Sequence, residues 1–295
     1  MSRYSIWVLE YADCPECPVS GLIWGAHNQG TVRMPYGYVV IKGGGHIIMV
    51  DVGFNYQDYG ETLVRRYHVG PWHSPTEVLA EIGLGPEDVD TILITHAHFD
   101  HMGNLEEFPN AKVFVQEREI SKSLWAFTLP PEMAFLTVCL DPGDLMNCVQ
   151  LAREGRLRMV DGDRTDLLPG IDLRVAYDTH SPASMWVVVR NDEKSESADT
   201  WVLAGDLVYV YENISGDGAV AGVEKMYRPI AFAVGSQTSL IFATDAMMKA
   251  VGRDQRRVIP VHERRLAEEF PSRVTEDGIR VSEICLANGE RSKVH

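Results

Sequence analysis

The sequence predicts an α/β sandwich, sheets inside and helices outside, folded as a single domain over residues 1–295. Three observations predict it. Short β-rich runs recur along the whole length, helical stretches lie between some of them, and no repeat or long linker divides the chain.

The strands are read at residues 38–41, 47–51, 91–95, 112–115, 173–176, 185–190, 201–204 and 258–261, each a short run rich in Val, Ile or aromatics. Such runs suit buried strands. Gly/Pro clusters at 43–45 and 83–86 read as turns, and the polar run 191–200 as an exposed hairpin loop. One helix opens on Ser74-Pro75-Thr76-Glu77, a capping box with proline at the first helical position. Its apolar stripe is Val78, Leu79 and Ile82, and Gly83 suits its C-terminal end. A second helix starts near Ser236 and buries Leu240, Ala243, Met247 and Val251. The stretch 110–155 has no clean period and reads as helical cover over a site. Its Trp125, Phe127, Met133 and Phe135 suit either ordinary core or an apolar pocket, and 120–150 could equally serve a homodimer.

Composition excludes some classes of function. Hydrophobic residues at 45% and charged residues at 23% are an ordinary globular balance. A net charge of −15 repels phosphate backbones and anionic lipid, so neither nucleic acid nor a membrane is an expected partner. No apolar run reaches the roughly 18 residues of a membrane span, and no signal peptide is visible, so the expected location is cytoplasmic. Five cysteines without a secretion signal suit free thiols. Cys14 and Cys17 form a lone C-x-x-C; a structural zinc site needs a second pair, and a redox dithiol a strand-then-helix context. They read as incidental thiols. His27, His46, His68 and His73 have no spaced partners and read as surface or core residues, with His27 the best placed of them to approach a substrate.

The chemistry concentrates after the strand at 91–95. His96, His98, Asp100 and His101 follow within six residues. Buried imidazoles and carboxylates need partners or a metal. His96 and His98, two apart in an extended turn, point the same way. Asp100 and His101 can turn toward a neighbouring point. Two such points would hold two divalent cations on imidazole and carboxylate donors. Such donors, without thiolate, suit zinc, and manganese, iron or cobalt are compatible with them.

His96-Ala97-His98-Phe99-Asp100-His101 resembles the H-x-H-x-D-H motif of the metallo-β-lactamase superfamily. The likeness runs in order from about residue 38 to 263. Asp51-Val52-Gly53 is similar to the family's early D-x-G turn, and Asp178-Thr179-His180-Ser181-Pro182 to its T-P-G-H-[ST]-x-G-H segment. Leu203-Ala204-Gly205-Asp206 and Ile259-Pro260-Val261-His262 are similar to the strand ends that supply a bridging aspartate and a final histidine. The resemblance implies an αββα sandwich with the metal site at one edge. It implies one metal on His96, His98 and His180, another on Asp100, His101 and His262, Asp206 between them, and a bridging hydroxide as nucleophile. The chain departs from the pattern at Thr179, where the family has glycine, and at Ala183-Ser184, where it often has Gly-His. Those changes bear on the support around the site and on the pocket wall.

Local details narrow the reaction. Aspartate at 206 argues against β-lactamases that carry cysteine there. Tyr209, three residues on, resembles a tyrosine of the N-acyl homoserine lactonase branch, whose hydroxyl helps hold the substrate carbonyl. The entry Gly30-x-x-x-Met34-Pro35 looks like that group too. The resemblance therefore implies opening of a small lactone, of the quorum-quenching kind, with Asp100 and Tyr209 as catalytic residues. Cyclic amide or imide hydrolysis is the alternative on the same site. A thioester hydrolase of the glyoxalase II kind would need a cationic patch, for which Arg228, Arg264 and Arg265 are the candidates. A ligand-binding relative without activity would be expected to lose ligands, and here all seven positions are filled.

Overall fold

The computed structural model describes residues 3–217 and 223–295. Its first strands are β1 (Tyr4–Pro18), β2 (Thr31–Gly43), β3 (His46–Val50), β4 (Thr91–Leu93), β5 (Lys112–Gln116) and β6 (Leu157–Val160). Then come β7 (Arg164–Leu168), β8 (Ile171–Tyr177), β9 (Ala183–Arg190) and β10 (Thr200–Leu203). A small hairpin of β11 (Gly216–Asp217) and β12 (Lys225–Met226) precedes β13 (Val258–Ile259), β14 (Ser272–Val274) and β15 (Arg280–Cys285).

Two sheets result. One runs β14-β15-β1-β2-β3-β4-β5-β6, the other β13-β10-β9-β8-β7. Strands β3 to β6 pair in parallel, and β1, β2 and β3 pair antiparallel. The apolar run of β9 is buried along its whole length, as a strand covered on both faces must be. The helix Gln237–Ala250 packs on β8 and β10 of the second sheet, and Pro142–Arg153 packs on β6 of the first. Helices therefore cover the outer faces of paired sheets, the αββα sandwich of the metallo-β-lactamase fold.

Every strand read from sequence is present, with shorter ends at β4 and β13. The capping box at Ser74 forms on both sides, and Ser236 caps its helix through Thr238 N and Ser239 N. The stretch 110–155 holds β5, the helices Glu117–Ala126 and Pro142–Arg153, and a 3₁₀ turn at Pro131–Thr137. Its Trp125, Met133 and Phe135 are about half exposed, so they are neither core nor, with their bulk facing solvent, the main pocket wall. Cys14 and Cys17 lie at the end of β1, directly before the short helix Val19–Leu22; a strand-then-helix context therefore exists, and both thiols are free.

The segments that carry the candidate ligands follow β4, β8, β10 and β13 and meet at one edge of the sandwich. There Met185 N donates to Thr95 O at 2.8 Å, tying the second sheet to the loop after β4. Gly205 sits against Thr95 at a φ of +51°, and a Cβ there would lie 2.9 Å from the threonine side chain. Only glycine lets the Asp206 turn come this close. No helix among the described residues is long and apolar enough to cross a membrane.

Candidate metal centre

β4 ends at Leu93, and the chain extends through His96 to His98, which opens the short helix Phe99–Met102. That turn brings Asp100 and His101 into a second group beside His96, whose ring lies 4.1 Å from that of His101. His180 comes from the β8–β9 loop, Asp206 from the 3₁₀ turn after β10, and His262 from beyond β13. All seven residues predicted as ligands are buried and converge.

They form two groups that share Asp206. His96, His98, His180 and Asp206 make one; Asp100, His101, His262 and Asp206 make the other. Asp206 Oδ2 lies 3.3 Å from His180 Nε2 and 3.7 Å from His96 Nε2. Its Oδ1 lies 3.2 Å from His101 Nε2 and 3.1 Å from His262 Nε2. One carboxylate thus faces both groups.

The outer nitrogens fix which atoms point inward. His180 Nδ1 is 2.9 Å from Phe232 O, His262 Nδ1 is 2.7 Å from Pro35 O, and His101 Nδ1 is 2.8 Å from Asp51 Oδ2. A carbonyl or ionised carboxylate only accepts, so each Nδ1 carries the proton and each Nε2 presents its lone pair inward. His180 Nε2 stands 3.1 Å from His96 Nε2 and 2.9 Å from His98 Nδ1. Nitrogen lone pairs held that close repel unless a cation lies among them. Among the described residues, His101 Nε2, His262 Nε2 and Asp206 Oδ1 are buried with no hydrogen-bond partner. The donor set therefore fits two divalent cations of borderline softness.

Electrostatics agree. Burial, then the neighbouring imidazoles, hold His96 and His98 well below the ordinary histidine range. Burial opposes charge on His101 as well, but Asp206, Asp100 and Asp51 outweigh it and lift that imidazole well above its usual value. Burial would raise Asp206, yet His101 and His262 keep it well below the carboxylate range. The second group is the more electronegative, and a cation there would take the place of the His101 proton.

The surrounding scaffold was only partly foreseen. Asp51, in the D-x-G turn, accepts from Thr95 N at 2.7 Å and Thr95 Oγ1 at 2.8 Å besides meeting His101. It does so at a φ of +64°, a left-handed conformation rare outside glycine, asparagine and aspartate. Glu119, fully buried, accepts from Ala97 N, Ser181 Oγ and Ala183 N. It staples the loop of His96 and His98 to that of His180, and nothing in its local sequence marks it. At the departures from the family pattern, Ser184 Oγ meets Ser181 Oγ at 2.7 Å and Thr179 Oγ1 donates to Ala176 O. Hydroxyls fill the space there.

A cavity of about 600 Å³ opens over the groups. Met34, Tyr36, Phe99, Tyr209 and Phe232 line it beside His98, Asp100, His180 and Asp206. Tyr209 meets His180 edge-on at 5.7 Å and His262 at 5.3 Å. The thiols Cys14, Cys17 and Cys139 also face this cavity, as do Arg66 and His68. Of the histidines without spaced partners, His68 reaches the cavity, whereas His27 is exposed and does not line it. Trp125 borders a smaller cavity of about 190 Å³ behind His98. Arg264 and Arg265 pair with Glu212 and, like Arg228, stay outside the main cavity.

Known proteins align with this arrangement. N-acyl homoserine lactonase AiiB of Agrobacterium fabrum is 25% identical over 147 residues, half of this chain and half of the relative. A probable metal-dependent hydrolase from Staphylococcus aureus superposes with a TM-score of 0.64 at 17% identity, over 89% of this chain and 90% of its own. AidC, a dizinc quorum-quenching lactonase solved with its product N-hexanoyl-L-homoserine, superposes with a TM-score of 0.62 at 15% identity, over 97% and 96%. These likenesses show the fold. The metallo-beta-lactamase superfamily profile matches residues 30–262, most of the chain and every residue of both ligand groups. The chain belongs to the metallo-beta-lactamase superfamily, whose hydrolase fold it shares with lactonases.

Proposed function

We propose that the protein is a dinuclear metal-dependent hydrolase that opens a small cyclic ester. One observation carries the reading: two buried ligand groups share a carboxylate beneath an apolar cavity into which a tyrosine projects. His96, His98 and His180 would hold one cation and Asp100, His101 and His262 the other, with Asp206 shared by both groups. Histidine and carboxylate donors favour zinc. When bound, such cations bring the pKa of a water to about 7 and polarise an ester carbonyl.

The chain's own residues do the rest. Asp100 lies 3.3 Å from His101 Nε2, and that imidazole outweighs burial to keep its carboxylate ionised. It orients the attacking water and passes the water's proton to the ring oxygen. Burial, then Asp206, keep the Tyr209 phenol protonated, so it donates a hydrogen bond to the carbonyl oxygen. The apolar wall of Met34, Phe99 and Phe232 excludes water and accepts an apolar arm of the substrate. The lactonases among the relatives support a cyclic ester, with N-acyl homoserine lactones, and so quorum quenching, the first class to try.

A cyclic amide would use the same attack and needs firmer protonation of its leaving nitrogen. The thioester reading loses the arginines first named for its cationic patch, because Arg264 and Arg265 are paired away from the cavity, and Arg66 is the arginine in the lining.

The test is a hydrolysis screen over lactones, cyclic amides, β-lactams and thioesters at measured metal content. Lactones should turn over fastest. Asp206→Ala and His98→Ala should each lose most metal and at least about 100-fold in activity, more than the loss of an outer-shell partner, with the circular dichroism of a folded chain. Tyr209→Phe should slow turnover and retain metal. Full activity of Asp206→Ala would sink the bridged-pair reading.

A further inference from the structure

Tyr36 stands beside Tyr209 in the cavity, and no step above uses it. It comes from β2, whereas Tyr209 follows β10. Both rings meet His262 edge-on, Tyr36 at 5.1 Å and Tyr209 at 5.3 Å. Tyr209 also meets His180 and so spans the two ligand groups. Tyr36 makes its other ring contact with Phe54, at 6.2 Å, and stands beside the group of Asp100, His101 and His262 alone. Both tyrosines are 6% exposed, and among the described residues neither hydroxyl has a hydrogen-bond partner. Both tyrosines line the cavity, and neither hydroxyl is among the buried oxygens closed off without a partner, as that of Tyr38 is, so each is open to what the cavity holds. A phenol ordinarily titrates near about 10, so at neutral pH the hydroxyl is a donor.

An ester offers two oxygens on one carbon. We infer that Tyr36 contacts the substrate and hydrogen-bonds the ester's leaving oxygen, while Tyr209 serves the carbonyl oxygen. This rests on the ester-opening reading above. In the step, the water oxygen bonds to the acyl carbon and the ring C–O bond breaks with its electron pair on the ring oxygen. The proton released by the water ends on that oxygen, and Tyr36 keeps its own proton throughout. A donor at this place favours esters whose leaving oxygen develops most charge. Tyr36 is therefore a specificity residue, selecting aliphatic lactones and alkyl esters over aryl esters.

The test compares wild type with Tyr36→Phe at equal, measured metal content, on aliphatic lactones and on open esters whose leaving alcohols run from nitrophenol to simple alkanols. On lactones and alkyl esters kcat should fall about 10- to 100-fold, at or below the lower end of the loss seen when one preorganised oxyanion donor is removed. On the nitrophenyl ester it should fall less than about threefold, with KM within about twofold throughout. A second readout needs no turnover. Tyr36→Phe should weaken binding of the ring-opened hydroxy acid about tenfold, and leave the same acid lacking the hydroxyl unchanged. Equal losses across all leaving groups, or equal weakening of both acids, would reduce Tyr36 to a packing residue and overturn the assignment; so would no loss at all. Wild type that cleaves open esters and ignores lactones would instead sink the cyclic-ester reading, and the leaving-group slope would still judge Tyr36.

Discussion

Replacing Asp51 by asparagine should loosen one metal position and spare the other. Asp51 accepts three hydrogen bonds, two from Thr95 and one from His101 Nδ1. Asparagine keeps one oxygen and presents an NH₂ in place of the other. If the oxygen stays on Thr95 N, the NH₂ faces His101 Nδ1, a donor against a donor. The imidazole then loses its anchor or moves its proton to Nε2, the atom that faces Asp206 and Asp100. One hydrogen bond to a charged acceptor is worth about 1.5–3 kcal/mol. At about 1.4 kcal/mol per tenfold, that is a loss of roughly 10- to 100-fold in cation affinity, the range found for outer-shell partners. His96 meets the same residue only through Thr95 Oγ1, at 3.0 Å, so its group should change by less than about threefold. Stepwise removal with a competing chelator, followed by metal analysis, separates the two positions. Equal weakening of both would show that Asp51 acts on the whole loop, and unchanged affinities would show that it does not orient His101.

Glu119→Gln turns one of three buried acceptor contacts into a donor clash, and should lower stability by about 1.5–3 kcal/mol in urea denaturation of the metal-free protein; a change under about 0.5 kcal/mol would deny it the stapling role. Gly235→Ala would put a Cβ 2.2 Å from the Asp178 carbonyl carbon, so the segment leading to His180 must shift. A loss of about 1–3 kcal/mol is expected, with weaker metal retention, and wild-type melting and metal content would refute it. Among the described residues Asp144 has both oxygens buried without a partner, and burial, then Asp141 and Glu106, push its pKa well above the usual range. The folded state therefore holds a proton that the unfolded chain releases, and stability falls as pH rises past about 4 toward the raised folded value. Asp144→Asn should recover about 1–2 kcal/mol at pH 8 and almost nothing near pH 4, and an equal gain at both would refute the charge argument.

How far the sequence reveals this protein depends on where each residue finds its partner. The candidate ligands are legible because His96, His98, Asp100 and His101 crowd one turn, and the others follow apolar strands. β1 was not legible. Its first nine residues are all buried, so both faces are covered and no alternation shows. Its Glu10 looks like a surface residue but is 3% exposed, balanced by Arg33 at 2.5 Å from the next strand. The strands β6, β7 and β14 are short and mostly half-exposed, with little apolar signal of their own.

The same logic separates ligands from their supports. Asp51 and His101 are 50 positions apart, and Glu119 and Ser181 are 62 apart. Glu119 stands in the first turn of the helix Glu117–Ala126, flanked by Arg118 and Ile120, where a glutamate is ordinarily an exposed favourable charge near the helix N-terminus. Two of its three partners are backbone amides, which every residue but proline offers and no sequence pattern announces. Tyr36 is hidden in the same way, since within β2 it is one aromatic among several in a buried strand. Only the approach of His262, from a loop some two hundred residues later in the chain, separates its hydroxyl from that of Tyr38, which is fully buried away from the cavity. Residues of the two candidate metal groups carry unusual chemistry in the sequence itself. Residues that aim those ligands, or select the substrate, carry ordinary chemistry made specific by distant backbone, and only the fold distinguishes them.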